Sequence, residues 1–176
     1  MVNMLKRVLV HIGINPQRLL LEWVSAAEGP RFAEVVTTFT GQMRELGPLS
    51  SDGEGKPGDL KLKLKAAREM VSGEKLRWVS AKQTEFKKDG NKYQEVFTSH
   101  EIGRYLDGVI LEEIIIHQIL LLLKEGPLSI KDISQKLQIT PPRIFEQVLG
   151  LKRKGIVEVS TIKERSPIYT ISGKVA

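Results

Sequence analysis

With 176 residues, 41% of them hydrophobic and 27% charged, the chain has the composition of a globular protein, with room for one domain or two small ones. It contains no cysteine, which excludes disulfides, thiolate zinc sites and thiolate-held iron–sulfur clusters on this chain. The net charge of +6 favours acidic partners without requiring nucleic acid, and it is unevenly spread: residues 1–55 carry five basic and six acidic side chains, residues 56–110 twelve and eight, residues 111–176 ten and seven.

Met4, Leu5, Val8, Leu9 and Ile12 recur at helical spacing, and Gly13 ends the helix they predict. Asn15–Pro16 turns the chain into an apolar run of strand length, Leu19 to Val24, interrupted by Glu22. Ser25 and Glu28 have capping-box spacing, so a helix is expected close behind. Phe32, Val35, Val36, Phe39, Met43 and Leu46 mark one face of that helix, and Gly47 and Pro48 stop it. Helix, strand, tight turn and helix form the end of an α/β unit, which cannot bury both its faces alone. Met1 to Asn15 lacks the sustained apolar core of a signal peptide. The longest apolar run, Ile114 to Leu123, is broken by His117 and Gln118 and is too short to span a bilayer. A cytoplasmic protein with no membrane partner is expected.

Residues 49–59, rich in Gly, Ser, Pro and charge, read as a linker. Gly53 and Gly55 form a GxG with no strand before it, so no phosphate loop is expected. Leu60 to Val71 predicts a helix with lysines on a solvated face. Leu76 to Phe97 alternates, and Asp89–Gly90–Asn91 is a turn signal, so a β-hairpin is expected there. Its aromatics Trp78, Phe86, Tyr93 and Phe97 read as a buried face, although aromatics among lysines can also stack bases. Ser99 is expected to cap a short helix that ends near Gly108, and Glu112 to Lys124 predicts a helix apolar over most of its circumference.

Beyond Glu125–Gly126–Pro127 come a short extended piece at Leu128 and Ile130 and a helix with Ile133 and Leu137. A Thr140-capped helix follows, with Pro141 and Pro142 in its first turn, then β-branched runs at Ile156 to Thr161 and Ile168 to Ile171. That order, and the wording EGPLSIKDISQKLQITPPRIFEQVLGLKRKGIVEV followed by PIYTIS, resembles a winged helix-turn-helix. In DNA-binding members the third helix enters the major groove and the wing touches the backbone or minor groove. Here the third helix is Pro141 to Lys154, and the expected DNA or partner contacts are Arg143, Gln147, Lys152, Lys163 and Arg165. Lys152, Arg153 and Lys154 end a helix, where the dipole alone favours cations. The stretch PPRIFEQ, with one arginine and one glutamate, is a poor DNA footprint because phosphate contacts require several cations.

The stretch Gly13 to Val36, GINPQRLLLEWVSAAEGPRFAEVV, resembles the C-terminal end of the delta subunit of methyl-viologen-reducing hydrogenase. The resemblance covers roughly Asn3 to Pro48, and LEWVSAAEG followed by RFAEVV is its most specific part. It implies an α/β domain whose cluster-binding cysteines precede this stretch, and a 2Fe–2S cluster in full-length members. No cofactor is expected on this cysteine-free chain. It also implies partners: a heterodisulfide reductase subunit with hydrogenase or formate dehydrogenase subunits. Residues 60–170 look like the extension that long members of this family carry.

The fold class expected is α+β: a partial α/β unit at 1–48, a linker at 49–59, a helix plus β-hairpin segment at 60–108, and a winged helix-turn-helix at 109–176. His11, His100 and His117 are isolated, and no nucleophile–base pair, paired-acid motif or metal cluster stands out, so no catalytic residue is expected. The expected function is an accessory or truncated delta subunit that acts by docking, a non-catalytic oxidoreductase subunit. The alternative is a winged-helix DNA-binding regulator.

Overall fold

A computed structural model of the chain describes residues 2–49, 57–88 and 95–173. They fall into two compact units, Met1–Leu60 with Ser80–Ile110, and Lys61–Val79 with Leu111–Ala176.

In the first unit, helix α1 (Val2–Ile12) buries Met4, Val8 and Ile12, one stripe at four-residue steps. Gly13 ends it at φ 83°, where a side chain would be strained. The Gly13 and Ile14 amides donate to the carbonyls of Val10 and Leu9, a Schellman end that tucks Ile14 into the core. Pro16–Arg18 is a short 3-10 helix, capped by the Asn15 side chain, which accepts from the Gln17 amide. The expected strand at Leu19 to Val24 does not form, and that stretch has no regular structure. A strand needs a paired edge, and every strand among the described residues belongs to the second unit. Helix α2 (Gly29–Leu46) starts one residue after Glu28 and stops at Gly47, close to the expected bounds. The Ser25 amide donates to Glu28 Oε2 at 2.8 Å, which is half of the expected capping box.

Helices α3 (Pro57–Ser72) and α4 (Glu74–Lys88) follow. The hairpin expected over Leu76 to Phe97 is therefore wrong in its first half, which is helical. Its turn at residues 89–91 and Tyr93 lie outside the described residues, as do residues 50–56 of the expected linker, with their GxG. Leu76 and Val79 are buried, a helical interval, whereas the alternate residue Trp78 is exposed. Good helix formers such as Lys75, Ala81, Lys82 and Glu85 outweigh the alternation.

Helix α5 (Ser99–Glu125) is a single helix of 27 residues, not a short helix ending near Gly108 and a separate one after it. Its cap is Thr98 rather than Ser99. The Thr98 amide donates to Glu101 Oε2 at 2.9 Å and the Glu101 amide to Thr98 Oγ1 at 3.2 Å, a capping box. Gly108 is carried through because Ile102, Leu106 and Ile110 continue into Ile114 on one buried stripe. Burying such side chains is worth about 1.5–3 kcal/mol each, against about 1 kcal/mol for a mid-helix glycine.

The second unit contains the winged helix-turn-helix. After α5 come strand β1 (Leu128–Ser129), helix α6 (Ile130–Leu137), helix α7 (Pro141–Arg153), strand β2 (Val157–Lys163) and strand β3 (Ser166–Ile171). The antiparallel sheet has the order β1-β3-β2, with Leu128 opposite Tyr169 and Lys163 opposite Ser166. Its core joins Ile115, Ile119 and Leu123 of α5 to Ile133, Ile144 and Val148, closed by Val157 and Tyr169 of the wing. Ser129 and Asp132 form a reciprocal capping box on α6. Thr140 occupies the cap position of α7 but makes no side-chain cap bond, contrary to expectation. Proline at the first two positions of α7 fits a turn whose amides have no helical partner. Gly155 at φ 72° ends α7, and the Ile156 amide returns to the Leu151 carbonyl at 3.0 Å. Glu164 and Arg165 both have positive φ, so the wing turns through a two-residue loop of the primed type.

Candidate docking and nucleic-acid surfaces

Helix α2 has the amphipathic pattern of a helix that packs, yet none of its 18 residues is buried. Phe32 is 60% exposed and Val36 is also exposed, one turn apart on the same face. In the irregular stretch before it, Leu20 and Leu21 are exposed and Trp23 is 82% exposed. The two stretches are tied together: Arg31 lies 3.5 Å from Glu28 and 3.9 Å from Glu22, whose neighbours are Leu21 and Trp23. At the far end, Arg18 donates to the carbonyls of Leu46 and Pro48, both at 3.2 Å. Along the apolar stripe Phe32 and Val36 are exposed, while Val35, Phe39, Met43 and Leu46 are half-buried. Isolated exposed leucines are ordinary, but an almost fully exposed tryptophan close in sequence to two of them is a candidate contact residue.

Helix α7 buries Ile144, Val148 and Leu151. Arg143 is exposed and Gln147 half-buried, one turn apart on one face. Lys152 is exposed but lies nine residues beyond Arg143, about half a turn around the helix, so the fold does not bring it to that face. Glu146 and Arg153, seven apart and both exposed, share the outward side. Lys163 and Arg165 are exposed at the wing tip, on either side of Glu164. Phe145 is 48% exposed beside the buried stripe, and Ile162 is 69% exposed next to Lys163. Neither was expected as a contact, though Phe145 could have been read from its position off the Ile144–Val148 spacing. An exposed glutamate and two apolar side chains suit a protein contact better than a phosphate backbone.

His11 is a structural partner. His11 Nε2 lies 3.1 Å from Asp107 Oδ1, and Arg7 Nη1 donates to Asp107 Oδ2 at 2.7 Å and to the Gly103 carbonyl at 3.3 Å. Burial raises the Asp107 pKa, but the hydrogen bonds from Arg7 and His11 outweigh it and hold the carboxyl below its ordinary value. His117 Nδ1 sits 3.6 Å from Glu69 Oε2, beyond hydrogen-bond reach, and Lys124 pairs with the other oxygen of Glu69 at 3.2 Å. Lys75 pairs with the largely buried Glu113. No group of three or more His, Asp or Glu side chains able to hold a metal occurs among the described residues. With no cysteine in the chain, the residues present do not fit an iron–sulfur cluster, and no electron-transfer step is assigned to them. No helix of the described residues is long and apolar enough to cross a membrane.

Comparison with known proteins gives two separate matches. Residues 1–47 match the family model described as methyl-viologen-reducing hydrogenase, delta subunit. Residues 117–159 match that of the arsR family of bacterial regulatory proteins, consistent with the winged helix. The iron-sulfur subunit of the F420-non-reducing hydrogenase of Archaeoglobus profundus is 49% identical over 47 residues, 27% of this chain and 34% of that protein. A subunit of the ferredoxin:CoB-CoM heterodisulfide reductase of Methanosarcina mazei is 42% identical over 50 residues, 28% of this chain and 6% of that protein. Its counterpart in Methanosarcina acetivorans, named as belonging to the ferredoxin/F(420)H(2)-dependent enzyme, gives the same figures. The chain therefore spans about a third of one relative and a small fraction of the others. No solved structure matches it.

Proposed function

We propose that this chain is a docking subunit of an electron-transfer complex linking a hydrogenase or formate dehydrogenase to heterodisulfide reductase, with no cluster ligands of its own. The observation that carries the reading is the exposed apolar start of α2, Phe32 and Val36, on a helix with no buried residue, inside the block that resembles both a hydrogenase iron-sulfur subunit and a heterodisulfide reductase subunit. A segment similar to subunits of two different enzymes, with apolar side chains exposed in its own chain, suits an adaptor more than a catalyst. In this reading residues 1–48 are the docking block and residues 109–176 a winged-helix module, for which Arg143, Gln147, Lys152, Lys163 and Arg165 are the proposed contacts. The chain works in the cytoplasm as a non-catalytic oxidoreductase subunit.

Anaerobic affinity purification from native cells, with the bound chains identified by mass spectrometry, tests the proposal. Heterodisulfide reductase, hydrogenase or formate dehydrogenase subunits are the expected co-purifying proteins. The basic wing tip and the arsR-type match favour a second reading, a DNA-binding regulator. Recovery of duplex DNA alone, released steeply as salt rises, would replace the first reading with the second.

A further inference from the structure

We propose that the free edge of strand β2 pairs antiparallel with the same edge of a second copy of this chain, through Glu158, Val159, Ile162 and Lys163. The inference goes beyond the docking reading and does not depend on it, since it concerns the wing alone.

The sheet β1-β3-β2 ends on one side in a strand of two residues and on the other in β2, which has seven. Every residue of β2 after Val157 is exposed, and among the described residues β3 is the only strand beside it. A long unpaired edge is a template for another strand. Proteins blunt such edges with charged side chains and bulges, and β2 carries both. How the two are placed decides what the edge accepts.

From residue 158 to residue 163 the strand reads Glu, Val, Ser, Thr, Ile, Lys. Laid antiparallel on itself about a two-fold axis between Ser160 and Thr161, it sets Glu158 against the second copy's Lys163 and Val159 against its Ile162. The two-fold axis repeats both pairs on its other side. Opposite charges and β-branched pairs stabilise neighbouring strands, whereas like charges directly opposite destabilise them. The charges that deter other edges therefore attract this one.

The bulge makes the register possible. In a regular strand, residues an odd number apart face opposite ways, so Val159 and Ile162 could not meet across such an axis. The pairing of β2 with β3 shifts between Val159 and Thr161, which leaves Ser160 as the extra residue. Val159 lies opposite Tyr169 and Ile162 opposite Pro167, two residues apart on β3. Both therefore share the sheet face that buries Tyr169. Glu158, opposite Thr170, and Lys163, opposite Ser166, share the other face. Both copies carry the extra residue at the axis, so neither strand outruns the other. Val159 is 37% exposed and Ile162 69%, apolar area that the pairing would cover. An unrelated extended peptide has no reason to match both faces at these positions, and the strand itself does.

Sedimentation velocity of the full chain over a concentration series at low salt tests this. A strand pair of this length is a small interface, so reversible dimerisation with a Kd on the order of 10 µM is expected. Lys163→Glu and Glu158→Lys should each weaken it about tenfold or more by setting like charges opposite. An equimolar mixture of the two variants should dimerise as the unaltered chain does, because each strand then finds its opposite charges in the other. Glu158 Oε2 also accepts from Ser172 Oγ at 3.1 Å, so circular dichroism checks that Glu158→Lys keeps its fold. If it does not, Lys163→Glu and Ile162→Lys, which spare that bond, must each weaken the dimer. A chain that stays monomeric to about 300 µM would overturn the inference and leave the edge to an extended segment of another protein. A dimer indifferent to these variants would place the interface elsewhere. Folded single variants that stay monomeric when mixed would show that Glu158 and Lys163 do not oppose each other. None of these results bears on the docking reading.

Discussion

The Asp107 carboxylate shows what a single position can hide in a sequence. His11 reads there as isolated, because the group that engages it is 96 residues away. In the fold Asp107 gathers Arg7 and His11, and the Arg7 guanidinium lies against Gly103, where an added Cβ would meet its flexible tip at 2.7 Å. Since the folded Asp107 pKa lies below its ordinary value, the unfolded chain takes up the proton first as pH falls. The stabilisation is therefore complete above the unfolded carboxyl value of about 4 and is lost as pH drops through the lower folded value. Asp107→Asn is expected to be less stable than the unaltered chain at pH 7 and pH 5, with the gap closing below about pH 4. Urea midpoints measured across that range check the prediction, and a gap independent of pH would contradict it. Trp23 was legible as part of an apolar run, but its exposure was not, since exposure depends on what packs against the run.

Element by element, the sequence was clearest where caps and spacing agreed. The Gly13 end of α1, the Gly47 end of α2 and the Gly155 end of α7 were all marked by glycine, and all three take positive φ. Outside the winged module the strand readings at Leu19 to Val24 and over the first half of Leu76 to Phe97 failed. Alternation over Leu76 to Phe86 suits a strand only where an edge offers pairing, and among the described residues no strand pairs with α4. The run at Leu19 to Val24 failed for the same reason. Gly108 was read as a stop, yet α5 passes through it, because the stripe from Ile102 to Ile114 gains more from burial than one glycine costs. An added Cβ at Gly108 meets nothing within 4 Å. Gly108→Ala should therefore stabilise the protein by about 0.5–1 kcal/mol, through backbone entropy alone. Chemical denaturation would read this as a higher midpoint at unchanged slope, and a lower midpoint would show that the helix needs flexibility there.

At the scale of the whole molecule, two modules with different surfaces share one chain. The winged helix has a complete core of its own, from Ile115 to Tyr169. The N-terminal block buries one face of α1 but leaves α2 without a buried residue. That contrast was half legible. The stripe on α2 and the need of an α/β fragment for more packing are in the sequence, whereas the lack of a covering element among the described residues emerges only from the fold. Amide hydrogen exchange tests the central claim, that the apolar side of α2 is where this protein meets its partner, most directly. Measured on the chain alone and on the complex purified from cells, it should show fast exchange through Gly29–Leu46 in the free chain and slow exchange through Pro141–Arg153 in both states. On assembly, protection should rise in α2 and in the stretch around Trp23. Slow exchange of α2 in the free chain, or protection that rises on α7 and the wing while α2 is unchanged, would contradict it.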